Sequence, residues 1–243
     1  MKYYDFHSHL GTTSSGEENN VTMLVEQLKT YGVEKVGICN LTKPTMEERN
    51  DLIYNAKCQY PDYIKAYMYV NVKAPNIYDE IDRRLGEQKF DGCKIVTSRE
   101  GIRGDNCPII PEVVRYIAKY NKVVQVFAGS SPFCTPFIWV DLAEKIPELN
   151  LCFTHIAGRD FGYTLIELIK GIPNIIVETS QQFEYNILKK AIKELGSERI
   201  LMGTDWPYKP TNTEISKFKY LDLNNEQLEN IYFKNAERIW GER

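Results

Sequence analysis

Three histidines occur in the 243-residue chain, and each closes a short apolar run. His7 and His9 end the run that starts at Tyr3, and His155 ends the run that starts at Leu151. Residues two apart on a strand point to the same side. The spacing therefore predicts His7 and His9 on one face, with Asp5 one layer below them. Tyr4, Phe6 and Ser8 take the other face, where Tyr4 and Phe6 would pack on surrounding helices. Two imidazoles held in this way form a bidentate site for a divalent metal. A single histidine at a strand end is more simply a satisfied polar residue, but three such positions favour metal binding or catalysis. A carboxylate is available to join them. The run Arg199–Met202 ends in Gly203-Thr204-Asp205, with Pro207 close behind. Asp205 could cap a following helix, yet a carboxylate is also what completes a two-histidine metal site.

These residues need elements that bring residue 205 to residue 7. Strand-like runs cover Tyr3-His7, Lys35-Cys39, Ile64-Val70, Gly92-Val96, Val123-Phe127, Leu151-His155, Ile175-Glu178 and Ile200-Gly203. Helical spacing of apolar residues marks Val21-Tyr31, Pro111-Tyr120, Pro136-Lys145, Leu165-Ile169 and Tyr185-Leu195. Repeated βα units imply a parallel sheet. A doubly wound open sheet lacks support, because no glycine-rich phosphate loop follows any strand. The predicted fold is α/β, a (β/α)8 TIM-type barrel formed as a single domain over residues 1–243, with C-terminal helices packing outside from about residue 224. In a closed barrel strand eight is the neighbour of strand one, which places Asp205 beside His7 and His9. The long polar segments 10–20, 97–108 and 128–136 all follow strands, on the face where barrels build active sites.

The composition restricts the partners. A formal net charge of −3 with interspersed signs leaves no basic face for non-specific nucleic-acid binding. Met1–Asp5 is too polar to open a signal peptide, and no run is long enough to span a membrane, so the cytoplasm is the expected location. The six cysteines show no metal-finger spacing, and Cys39, Cys93 and Cys152 read as buried thiols inside strands. Ser130 and Ser131 have no Ser-His-Asp context. The expected partner is a small-molecule substrate, with no nucleic acid and no membrane; a homo-oligomer is compatible with the sequence.

With Asp5-Phe6-His7-Ser8-His9, Phe90-Asp91-Gly92-Cys93-Lys94-Ile95, Thr154-His155-Ile156-Ala157-Gly158, Gly203-Thr204-Asp205-Trp206-Pro207 and Asn235-Ala236-Glu237-Arg238-Ile239 in this order, the chain resembles the amidohydrolase superfamily. Within it, the resemblance is to the amidohydrolase-related, aminocarboxymuconate-semialdehyde decarboxylase-like group of metal-dependent hydrolases and decarboxylases. The resemblance implies that His7, His9 and Asp205 bind a divalent metal, zinc before manganese. It also implies that His155 polarises substrate or holds the reactive water and that Asp205 accepts a proton. Two positions depart from the family. Phe127 stands where the strand-five histidine is usual, and Val96 where a strand-four histidine is common. Water, His155 or a carbamylated Lys94 could complete the metal sphere, or the site could be metal-poor.

Three loop arginines could grip a substrate carboxylate by bidentate contacts: Arg159, foremost for its closeness to His155, then Arg103 and Arg99. Trp206, with Tyr208, Phe133 and Phe137, could wall a pocket. The expectation is a metal-dependent hydrolase or a non-oxidative decarboxylase, a carbon–carbon lyase, acting on a small carboxylated substrate. The alternative is a non-catalytic or metal-free barrel serving as a binding or assembly protein. A nuclease or phosphatase would want more bridging carboxylates and basic loops.

Overall fold

Eight parallel strands pair in chain order in the computed structural model, which describes residues 1–13, 15–129, 131 and 133–241. Ser130 lies outside the described residues. The strands are β1 (Tyr3–His9), β2 (Val33–Cys39), β3 (Ile64–Tyr69), β4 (Gly92–Ile95), β5 (Val123–Phe127), β6 (Asn150–Thr154), β7 (Ile175–Glu178) and β8 (Ile200–Leu201). The helices between them are α1 (Val21–Thr30), α2 (Met46–Gln59), α3 (Ile77–Ile81), α4 (Ile110–Ala118), α5 (Phe137–Lys145), α6 (Gly158–Ile169) and α7 (Tyr185–Leu195). After β8 come α8 (Thr211–Ser216), α9 (Asn225–Glu229) and α10 (Asn235–Trp240). The ring is nearly closed between β8 and β1 by backbone hydrogen bonds. Phe6 N donates to Met202 O at 2.9 Å, Asp205 N to His7 O at 2.8 Å, and His9 N to Trp206 O at 2.7 Å. This is the (β/α)8 architecture that the alternating pattern predicts.

The apolar periodicity does not reveal α2. Its core-facing positions are Met46, Asn50, Ile53 and Ala56, and a buried asparagine breaks the apolar stripe. Asn50 is satisfied because Tyr69 N donates to its Oδ1 at 2.7 Å and its Nδ2 donates to Tyr69 O at 3.2 Å. Thr45 and Glu48 form a capping box at the start of this helix, a signal that is present in the sequence.

Strand β1 does not keep the simple alternation. It pairs with β2 as Asp5↔Val36 and then resumes as Ser8↔Ile38, so Phe6 and His7 together face the single residue Gly37. This is a β-bulge, and it reverses which face the following residues take. Tyr4 and Phe6 point into the barrel with Tyr67, Val123, Cys152 and Leu201, not onto the helices as expected from the sequence, and the bulge is what lets His7 and His9 share that inward side. Asp5 and Ser8 stand beside Val36 and Ile38 on the helix-facing side, so Asp5 is not a layer beneath the histidines. A Cβ at Gly37 would lie 2.4 Å from the Tyr67 ring, and one at Gly92 would lie 2.7 Å from Val123, so both glycines make room for the interior. Helix α10 packs against this end of the barrel rather than only outside it. Trp240 stacks on Phe6 with ring centroids 5.2 Å apart and donates from Nε1 to Tyr67 Oη at 2.8 Å.

Asp5 holds the bulge in place. Its Oδ1 accepts from His7 N at 3.1 Å and Thr204 N at 2.9 Å. Its Oδ2 accepts from Ser8 Oγ at 2.6 Å and from Thr204 Oγ1. Burial pushes this carboxyl up to about 6, against hydrogen bonds from Ser8, Thr204 and His7 that favour the charged form. Asp5→Ala leaves these donors unpaired and is expected to cost about 3 kcal/mol, lowering the thermal midpoint by roughly 6–12 °C. Circular-dichroism melts of wild type, Asp5→Ala and the closer mimic Asp5→Asn test this. A wild-type midpoint for Asp5→Ala would remove Asp5 as the anchor of the seam.

Candidate active site and metal centre

The bulge brings His7 into the barrel mouth, where His9 follows on β1 with ring centroids 4.8 Å apart. Asp205 arrives from the chain after β8, and its Oδ1 lies 3.1 Å from His9 Nε2. His155 follows β6, with its ring 5.1 Å from that of His7. Thus the mouth brings together His7, His9, Asp205 and His155. They line a cavity of about 280 Å³, with Lys94 and Phe127 among the other walls. The four histidine and aspartate side chains are each less than a tenth exposed.

Hydrogen bonds assign a state to each ring. A backbone carbonyl can only accept, so His155 Nδ1, 2.9 Å from Ser180 O, carries the proton. Its Nε2 is then a bare acceptor. Burial, with the charges of Lys94 and His9, pulls His155 down to about 4 despite Asp205, so the ring is neutral. A neutral ring of this tautomer can hold or deprotonate water at Nε2; donating there to an oxyanion would require a second proton. His7 is ordered in the same way. Its Nδ1 lies 3.1 Å from Glu178 Oε2, and its Nε2 lies 3.0 Å from Lys94 Nζ. Burial and the positive charge of Lys94 hold His7 well below its usual value, so Nε2 presents a lone pair. For His9, burial acts downward, but Cys39 and Asp205 outweigh it and hold the ring up at about 9. Cys39 Sγ lies 3.3 Å from His9 Nδ1. Asp205 is itself buried, yet its contacts with His9 hold its carboxyl below the ordinary value. Gln181 Nε2 donates to Asp205 Oδ2 and fixes the carboxylate plane.

The backbone around these groups is bent. His155, Ile156 and Ala157 have φ of +62°, +47° and +55°, and Gln181 and Asp205 have +59° and +56°. Non-glycine residues there cost about 1–3 kcal/mol each and persist where surrounding structure holds them, often at functional sites. The three consecutive left-handed residues also swing α6 away from the mouth. Arg159 is consequently 84% exposed, 3.9 Å from Glu184, and does not line the cavity despite its nearness to His155 in sequence. Arg103 is likewise exposed and bound to Asp105 at 2.7 Å. Trp206 is buried, donates to Gln27 Oε1 at 3.0 Å, and walls a neighbouring cleft instead. Phe133 and Phe137 are exposed and outside the cavity lining, whereas Tyr208 and Arg99 belong to it.

Sequence reasoning missed Glu178, Ser180, Gln181 and Cys39. Glu178 carried a legible signal, since it closes an apolar run as the histidines do. Burial raises its carboxyl above the ordinary value, and Ser180 Oγ donates to it at 2.9 Å. Among the described residues two trios could hold a metal, His7–His9–Asp205 and His7–His155–Glu178, with ligand atoms in each within 4.8 Å. The first fits a divalent cation better. All three of its members line the cavity, while Glu178 does not and is engaged by Ser180 and His7. Two imidazoles and one carboxylate, each steadied by an outer partner, form the donor set expected of a metal centre with open positions. No helix among the described residues is long and apolar enough to cross a membrane.

Comparison with known proteins adds to this geometry. Gamma-resorcylate decarboxylase of Polaromonas sp. (strain JS666 / ATCC BAA-500) is 19% identical over 281 residues, covering 92% of this chain and 84% of that protein. The crystal structure of dihydroxybenzoic acid decarboxylase from Polaromonas sp. JS666, with bound manganese and the inhibitor 2-nitroresorcinol, matches with a TM-score of 0.81 at 15% identity. The match covers 99% of this chain and 97% of that one. A probable 2-pyrone-4,6-dicarboxylic acid hydrolase from Acinetobacter baumannii, with citric acid bound, matches with a TM-score of 0.75 at 18% identity, covering 99% and 100%. At these identities the structures establish the shared barrel. The model of the family described as Amidohydrolase matches residues 25–241, from within α1 to the end of the described chain. The chain belongs to the amidohydrolase family.

Proposed function

We propose that this protein is a metal-dependent non-oxidative decarboxylase, with hydrolysis the second chemistry of the same site, acting on a small carboxylated organic substrate. The observation that carries the reading is the His7–His9–Asp205 cluster buried in the mouth cavity. The names of its relatives support decarboxylation of aromatic acids, and one of them holds manganese. His7, His9 and Asp205 would hold a divalent cation, manganese or zinc. When bound, such an ion supplies a Lewis acid for substrate oxygens and lowers the pKa of water.

The protein groups then have distinct tasks. Glu178 fixes His7 through Nδ1 and keeps Nε2 turned toward the cavity. Asp205, ionised at rest, is the acid–base group: it first takes a proton from a substrate hydroxyl or from water and can then return that proton to the substrate carbon. In decarboxylation the substrate carbon must gain a proton as its bond to the carboxylate breaks and carbon dioxide leaves. In hydrolysis the same carboxylate accepts a proton from water, and His155 Nε2 holds that water in place. Phe127 contributes an apolar wall and excludes water, its ring 5.5 Å from that of His155. The open cavity and fixed ring orientations favour this reading over a non-catalytic barrel.

Three outcomes test the proposal. Metal-stripped protein, reloaded with manganese or zinc, is expected to release carbon dioxide from one or more members of a panel of hydroxylated and carboxylated benzoates. Hydrolysis of lactone analogues without carbon dioxide release would assign the second chemistry. Elemental analysis after reloading is expected to give about one ion per chain in wild type, and ten-fold or greater weakening in His7→Ala/His9→Ala and Asp205→Ala. Equal metal uptake by wild type and these variants would remove the metalloenzyme reading. Phe127→His adds a nitrogen donor beside the site and is expected to tighten manganese binding about ten-fold by calorimetry. Unchanged affinity would place residue 127 outside the reach of the ion.

A further inference from the structure

Helix α8 and the turn Lys217–Tyr220 that follows it place a buried ion pair beside the end of β7. Glu214 is fully buried and Lys217 nearly so, with Lys217 Nζ 2.6 Å from Glu214 Oε2. Each charge has a second contact, and both second contacts are to backbone. Lys217 Nζ donates to Thr179 O, and Glu214 Oε1 accepts from Gln181 N at 3.2 Å. The pair therefore grips the turn Thr179-Ser180-Gln181 at both ends. That turn carries outer partners for two groups of the mouth. Ser180 O accepts from His155 Nδ1, and Gln181 Nε2 donates to Asp205 Oδ2. Gln181 also holds a left-handed backbone, with φ of +59°, which a residue other than glycine keeps only where its surroundings impose it.

Burial pushes the Glu214 carboxyl up and the Lys217 ammonium down, and each partner opposes the shift of the other. A buried pair of this kind adds little to stability beyond what packed apolar side chains of similar volume would give. An apolar pair could not supply an acceptor for Gln181 N or a donor for Thr179 O. A carboxylate also serves two sides at once, since one oxygen takes Gln181 N and the other takes Lys217; a glutamine offers a single acceptor oxygen. We propose that Glu214, steadied by Lys217, is a positioning residue for Asp205: it holds Gln181 N, and the Gln181 side chain in turn sets the plane of the Asp205 carboxylate. This inference rests on the reading of Asp205 as a metal ligand and extends it to a residue outside the cavity lining.

Nuclear magnetic resonance of the histidine ring nitrogens in metal-free protein tests this. The chain has three histidines, and His9, whose Nε2 lies 3.1 Å from Asp205 Oδ1, reports on the carboxylate. Glu214→Met/Lys217→Met removes both charges and the acceptor for Gln181 N, and is expected to shift the His9 signal as Gln181→Leu does. Glu214→Gln/Lys217→Met is equally uncharged but keeps that acceptor, and is expected to leave the signal near its wild-type position. Added to Gln181→Leu, the first double substitution is expected to cause no further shift, because residues acting through one contact are not additive. Calorimetry is expected to show manganese binding about ten-fold weaker in the first double variant and close to wild type in the second. Circular dichroism confirms the fold of each variant. Glu214→Asp, which keeps the ion pair but draws the carboxylate back from Gln181 N, takes the place of the first double variant if that one does not fold. A His9 signal that loss of the acceptor leaves unmoved, or a shift that adds in full to that of Gln181→Leu, overturns the proposal. Wild-type protein that takes up no manganese removes the metal reading instead, and the ring signals of the metal-free protein still decide this one.

Discussion

Asp5 accepts four hydrogen bonds from three residues in the layer between the strands and the helices, and two of those residues belong to its own strand. The third, Thr204, is 199 positions away at the other side of the barrel seam. Regular pairing is weakest there: β8 is only the two residues Ile200–Leu201, and among the described residues the seam to β1 is joined by separate backbone hydrogen bonds rather than a strand ladder. A buried carboxylate is costly unless its lone pairs are filled, and here the strand bulge and the seam supply the donors. The same interaction fixes the turn that presents His7 inward and the segment that carries Asp205. The constraint thus ties a folding requirement to the geometry of the mouth.

Each imidazole in the mouth has one nitrogen committed to a fixed partner. Glu178 anchors His7, Ser180 O anchors His155, and Cys39 contacts His9. Partners of this kind select the tautomer and aim the remaining nitrogen. They also explain why the pKa values of rings only 4.8 Å apart are pushed in opposite directions. His7 faces the Lys94 amine and is disfavoured as a cation, whereas His9 faces the Asp205 carboxylate and is favoured as one.

The sequence makes the strands legible because their apolar runs are local, and it makes the Asp205–His9 contact legible because barrel closure is a topological rule. It hides the faces of β1. The bulge lets Tyr4 and Phe6 share the inward side with His7 and His9, which strict period-two alternation forbids, and its anchor Thr204 is a partner that no local pattern announces. Helix α2 is hidden by one buried polar residue, Asn50, whose satisfaction comes from the edge of β3. Arg159 shows the opposite failure. It is four positions after His155, but left-handed backbone at His155, Ile156 and Ala157 redirects the chain, and proximity along the sequence does not become proximity in space.

Phe127 takes its meaning from what surrounds it. An aromatic ring in this position removes a donor from the proposed metal and lowers the polarity of one wall, while Lys94 on the neighbouring strand places an amine at the floor whose pKa burial lowers. Fewer protein donors leave more coordination positions for substrate oxygens, and a drier wall strengthens each charge interaction within the cavity. A site that binds its substrate directly through an ion and a fixed amine needs less help from activated water. In the proposed reaction, phenylalanine at this place suits direct chelation of the substrate and hence decarboxylation. The intact outer partners of His7, His9 and His155 fit that view, because a site released from function would have no physical need to keep three rings so fully anchored.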